Sequence, residues 1–101
     1  MLRRIATAAA PSPVGHYAQA VVHGGLVFAS GQLALAPAGG APRTGGIEEQ
    51  TEQVLKNLEA VLHAAGSGRD KVLKTTVYLS DMSLFARMNA TYARFLGDHK
   101  P

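Results

Sequence analysis

The chain has 101 residues, 47% of them hydrophobic and 17% charged, with a formal net charge of +3 and no cysteine. That length is one domain at most, with a modest core of its own, and the absence of cysteine excludes disulfides, thiol nucleophiles and thiolate metal sites. The basic residues are scattered and only three Tyr and three Phe accompany them, which disfavours a nucleic-acid-binding face, where Lys and Arg gather beside stacking aromatics. So few charges on so small a domain point instead to surface hidden in an oligomer.

Residues 1–9 read as a short first strand. The apolar run Ile5–Ala10 is interrupted by Thr7 and stopped by Pro11, which falls short of the roughly 7–15 residues of a signal-peptide core. Nothing approaches the ~20 apolar residues of a membrane span, and cytoplasm is the default compartment. Pro11 and Pro13 favour an extended loop.

Two strands follow, over Tyr17–His23 and Leu26–Ser30, joined by Gly24-Gly25, which supplies the positive φ angles of a two-residue hairpin turn. That turn sets the register: His23 opposite Leu26, Val21 opposite Phe28, Gln19 opposite Ser30, Tyr17 opposite Gln32. Paired residues share a face, so the hairpin's open end gathers Tyr17, Gln19, Ser30 and Gln32 on one side. Gly31 there lets backbone N–H groups approach a ligand. Residues 36–46 are Gly/Pro-rich and read as a loop without the spacing of a phosphate-binding P-loop.

From Ile47 the period lengthens. Ile47, Thr51, Val54, Leu55, Leu58, Val61, Leu62 and Ala65 trace one face of an amphipathic helix, with Glu48, Glu49 and Glu52 in its first turns and Gly66 as its stop. Lys71–Leu79 alternates, is rich in β-branched residues and reads as a strand. Asp81 or Ser80 then caps a second helix whose stripe is Met82, Phe85, Met88, Tyr92, Phe95 and Leu96, with Met82 and Met88 in the core. The order is β-β-β-α-β-α. The stretch from Leu26 to Leu79 reads as a crossover that places its strands parallel in one sheet.

Read in order, "VGHYAQA", "LVFASGQ", "EQTEQVLKNLEAVLHAAG", "DKVLKTTVYLSDM" and "FARMNATYARFLGDH" resemble the Rid family, also called the YjgF or reactive intermediate deaminase family and related to L-PSP endoribonucleases. The resemblance runs from about Ile5 to His99. It implies a chorismate-mutase-like (bacillary type) α+β fold, a mixed sheet packed against two helices. It also implies a homotrimer with clefts between neighbouring subunits. The implied activity is hydrolysis of 2-imino acids or their enamine tautomers, such as 2-iminopropanoate and 2-iminobutanoate, to 2-keto acids and ammonia, with no metal or organic cofactor. The partners implied are a small imino or keto acid and further copies of the chain, not a membrane or nucleic acid.

Residue by residue, the resemblance makes Tyr17 the cleft tyrosine and thus the catalytic candidate. It makes Ser30 and Gly31 substrate-binding residues of the cleft wall, and Asn89 a substrate-binding amide reaching the site across the interface. On the same basis the single Rid-like domain, 1–101, lacks the family's final strands: the carboxylate-binding Arg belongs to a "PARS"-like segment beyond Pro101, and the water-positioning Glu to a last strand. His16 and Ala18 depart from the usual Pro and Ser around the tyrosine. His16 stands either as a variant wall of the cleft or as an exposed residue. His23, His63 and His99 lack metal-ligand spacing and read as surface or turn residues. Glu48, Glu49 and Glu52 read as a solvated helix start, and Arg87 and Arg94 as solvent-facing. The alternatives to deamination are a non-catalytic keto-acid-binding member and an RNA-cleaving translation inhibitor.

Overall fold

The computed structural model describes residues 1–101. Strand β1 (Arg3–Ile5), β2 (Ala20–His23) and β3 (Leu26–Ala29) form an antiparallel sheet in the order β1-β2-β3. Helix α1 (Ile47–Ala64) and helix α2 (Phe85–Leu96) follow, with short 3-10 turns at Arg69–Lys71 and Met82–Leu84. The architecture is a small α+β fold, as expected from the sequence.

The hairpin register is the one the Gly-Gly turn dictates. His23 pairs with Leu26 and Val21 with Phe28, and Gly24 and Gly25 carry φ of 59° and 78°, the left-handed pair of a type I′ turn. The ladder is shorter than expected. Beyond Ala20 only the Ser30 N–H reaches across, to the Gln19 carbonyl at 3.0 Å, and the Tyr17 N–H turns back to the Gly15 carbonyl at 3.0 Å. Tyr17 is therefore not paired with Gln32.

Alternation gives the sheet a buried face and an open one. Ile5 and Ala20, with Val22 and Val27 beside them, pack with Ala10 against Val61 and Ala65 of α1. On the other face Val21 is partly covered, while Leu26 and Phe28 are exposed, Phe28 to 60%. Small side chains at Ala20 and Ala65 let the helix lie close to the sheet. α1 ends where expected: the Gly66 N–H bonds the His63 carbonyl and the Ser67 N–H the Leu62 carbonyl, a Schellman closure. Asp81 is the cap of the turn into α2, its carboxylate accepting from the Ser83 N–H at 2.9 Å, which holds its pKa below the ordinary value.

Two expectations need correction. Lys71–Leu79 forms no strand: no N–H or carbonyl of residues 73–80 takes part in a backbone hydrogen bond, so the sheet is purely antiparallel and no parallel crossover is made. The segment lies by α2, the Thr75 hydroxyl 2.6 Å from that of Tyr92 and the Val72 carbonyl 2.6 Å from His99 Nε2. Alternation and β-branching describe a suitable strand, but a ladder needs a partner edge, and no strand of the sheet pairs with it. Met82 is not core either: it is 69% exposed, because it falls in the 3-10 turn before α2 and so leaves the helical stripe. Of that stripe Met88 is buried and Phe85 is half-exposed.

The helices are tied at both ends. Arg87 donates to both carboxylate oxygens of Glu48, from Nε at 2.7 Å and Nη2 at 2.8 Å. Farther along, Arg69 Nε pairs with Glu59 at 2.8 Å, its Nη1 donates to the Phe95 carbonyl at 2.8 Å, and its guanidinium lies 4.6 Å from the Phe95 ring centre. No helix is long and apolar enough to cross a membrane.

Val61 is 0% exposed at the centre of the helix–sheet contact. Val61→Ala removes two buried carbons and leaves a gap, so it is expected to destabilise the fold by about 2 kcal/mol. Urea unfolding should show a lower midpoint with an unchanged slope.

Candidate functional site

The open end of the hairpin abuts a shallow recess, open to solvent. It is lined by the loop carrying Pro11, Pro13 and Val14, by the turn carrying Leu33 and Leu35, and by Tyr17, Gln19, Gly31 and Gln32. No charged side chain lines it.

Tyr17 is placed by a tight local loop. Its hydroxyl accepts from the Val14 N–H at 3.2 Å, and its ring covers Gly15, where a Cβ would stand 3.2 Å from ring carbon Cε2. Gly15 thus leaves the space that the ring fills, and Tyr17 remains 46% exposed toward the recess.

Gly31 stands in contrast. Its φ is not positive, and a Cβ built there would meet no atom within 4 Å. Neither strain nor crowding within the chain calls for glycine. The N–H groups of Gly31 and Gln32 donate to no group in the chain, so the wall offers free donors.

Ser30 is not part of the lining. Its hydroxyl is turned back to donate to the Ala18 carbonyl at 2.6 Å, fastening the hairpin's open end. Gln19 is mostly buried and structural: Oε1 accepts from the Thr7 N–H at 2.6 Å, and Nε2 faces the carbonyls of Thr7, Ala10 and Pro11 at 3.1, 3.3 and 2.9 Å. The grouping of Tyr17, Gln19, Ser30 and Gln32 on one free face is therefore only partly realised. Asn89 lies exposed on α2 and does not line the recess. His16 is exposed and also lies outside the lining.

Sequence reasoning passed over Gln53 and Asn57, both buried on α1. Arg43 Nε donates to Gln53 Oε1, and Gln53 Nε2 to Asn57 Oδ1, each at 2.9 Å. Asn57 Nδ2 then donates to the carbonyls of Leu33 and Leu35. The signal was present: Gln53 and Asn57 stand eight and four residues before Val61, two polar residues in line with the apolar stripe. No group of three or more His, Cys, Asp or Glu is placed to hold a metal ion. Glu48 and Arg87 lie apart from the recess and pair with each other rather than facing solvent alone.

With the geometry described, comparison with known proteins places the chain. The Endoribonuclease L-PSP family model matches residues 7–101. This chain belongs to that family. Relatives of this L-PSP chain bear the Rid and RutC names. A RutC family protein of Pyrococcus horikoshii is 46% identical over 97 residues, covering 96% of this chain and 77% of that protein. The 2-iminobutanoate/2-iminopropanoate deaminase of Homo sapiens is 38% identical over 102 residues, covering 100% of this chain and 74% of the human protein. The crystal structure of RidA from an Antarctic Psychrobacter superposes with a TM-score of 0.93 at 39% identity, covering 98% of this chain and 80% of that one.

The Glu48–Arg87 pair makes a pH prediction. The Arg87 guanidinium hydrogen-bonded to Glu48 lowers its carboxyl pKa from 4.5 to about 2. A depressed folded-state value stabilises the fold above the unfolded-state pKa, and that contribution is lost as pH falls through the folded-state value. The melting-temperature difference between the native chain and Glu48→Gln should be constant above pH 4.5, shrink below it and vanish near pH 2. Because the pair is about half exposed, the difference should also narrow in high salt.

Proposed function

We propose that this chain hydrolyses small 2-imino acids or their enamine tautomers to 2-keto acids and ammonia, acting in the cytoplasm as a homotrimer. Water adds to the imine carbon, a C–O bond forms, and the nitrogen takes up protons. The C–N bond then breaks, leaving a carbonyl and releasing ammonia. A site for this reaction must aim the water, keep the nitrogen protonated and hold a carboxylate. Tyr17 is the group with a mobile proton beside the substrate. The free N–H groups at Gly31 and Gln32 are donors for a bound oxygen, and Ser30 keeps that strand end in place.

The observation that carries this reading is Gly31. A glycine with no conformational or steric need inside its own chain, set opposite a tyrosine in a recess with unpaired N–H groups, leaves room for a molecule from outside. The human relative's name supplies the chemical class. The bare sheet face around Phe28 and the unpaired 73–80 segment support self-association, which in this reading completes the cleft. A neighbouring copy brings Asn89 to it, and the carboxylate's cation comes from outside the recess residues described above.

The test is a coupled assay in which a pyridoxal-phosphate dehydratase releases the imine. The native chain should speed keto-acid and ammonia release above the spontaneous rate. Gly31→Ala should fold and melt like the native chain yet lose about 100-fold in kcat/KM, because the methyl displaces the substrate from its near-attack position. No acceleration by the native chain overturns the deaminase. Saturable 2-ketobutanoate binding would then leave a binding protein, and cleavage of added RNA at matched concentration would leave a nuclease.

A further inference from the structure

Two loops border the recess, and each is held by a buried side-chain amide. Gln19 holds the Thr7–Pro11 stretch on one side. On the other, Asn57 stands on α1, 1% exposed. Its two Nδ2 hydrogens go to the Leu33 carbonyl at 3.1 Å and the Leu35 carbonyl at 2.8 Å. Leu35 N–H also returns to the Leu33 carbonyl at 2.8 Å, so the three residues make a tight turn with both outer carbonyls on the helix. Gln53 donates to Asn57 Oδ1, which fixes which end of the amide faces the turn. Leu33 and Leu35 line the recess, and Asn57 does not.

We propose that Asn57 is a positioning residue of this site: through the Leu33–Leu35 turn it sets the apolar wall that meets the substrate's side chain, and so the size of side chain accepted. The inference rests on the deaminase reading for its substrate, but the wall is physical whatever binds there. Neither aspartate nor leucine does the same work. Aspartate has acceptors only and would face two carbonyl oxygens; leucine has no donor at all. A turn released from the helix loses the fixed distance between its two leucines and Tyr17. Gln53 acts one step behind, because without its donor the Asn57 amide is free to rotate its oxygen toward the carbonyls.

The experiment compares the full native chain with Asn57→Leu and Gln53→Met. It measures kcat and KM for 2-iminopropanoate and 2-iminobutanoate, and amide hydrogen exchange over residues 31–36. These imines differ by one methylene, a difference worth roughly 10-fold or more in an apolar pocket. Asn57→Leu should shift the ratio of their kcat/KM values by about tenfold, chiefly through KM, and speed exchange over 31–36. Gln53→Met should shift both readouts in the same direction by less. A variant that is less stable yet keeps the native ratio and native exchange in this turn overturns the proposal, leaving Asn57 a purely structural residue. Should Asn57→Leu fail to fold, Gln53→Met alone decides by the same two readouts. If the native chain turns over neither imine, the deaminase reading falls by itself. Hydrogen exchange then decides the wall: faster exchange confined to 31–36 sustains it, and unchanged protection there overturns it.

Discussion

The close approach of α1 to the sheet is the constraint on which the rest of the structure depends. A domain of this size has few fully buried side chains, so those it has must sit in contact. Ala20 and Ala65 let Val61 rest directly on the strands, and that contact fixes where the helix passes. Everything hung from the helix is then placed. Its polar residues meet the loop before it, its acidic start meets α2, and its Gly66 end turns the chain back. A bulkier residue at Ala20 would lift the helix and carry the Asn57 amide away from the turn it holds.

Polar satisfaction is the second constraint, and it follows from the first. A helix laid against loops brings backbone carbonyls out of water, and leaving one buried and unpaired costs about 1–3 kcal/mol. The chain answers with side-chain amides. Every buried side-chain nitrogen or oxygen has a partner. Gln19 and Asn57 are the clearest cases, and both serve stretches of chain that have no regular structure of their own. The recess is thus bounded by irregular segments that are nonetheless held by specific bonds, as a site on loops must be.

Much of this was legible in the residues. Gly24-Gly25 dictated the hairpin register, the apolar spacing from Ile47 dictated α1 almost to the residue, and Asp81 announced its turn. Tyr17 and Gly31 do meet at one recess. What escaped was whatever depends on a distant partner. Lys71–Leu79 has a strand's composition but pairs with no edge. Glu48 finds Arg87 thirty-nine residues away, and no local pattern encodes that. Ser30 looked free because its residue type is reactive; only coordinates reveal that its proton is committed to Ala18. Asn89 is exposed on a helix apart from the recess, so a single chain holds no trace of the role its motif suggests.

The two ties between α1 and α2 differ in what surrounds the charge. Near the helix starts the ion pair stands open to water; toward the α2 end Arg69 pairs with the more sheltered Glu59 while its guanidinium stacks on the Phe95 ring and bonds that residue's carbonyl. Dissolved electrolyte weakens the first more than the second. The helix pair therefore has a softer end and a firmer one, and brine would loosen the Glu48–Arg87 end first.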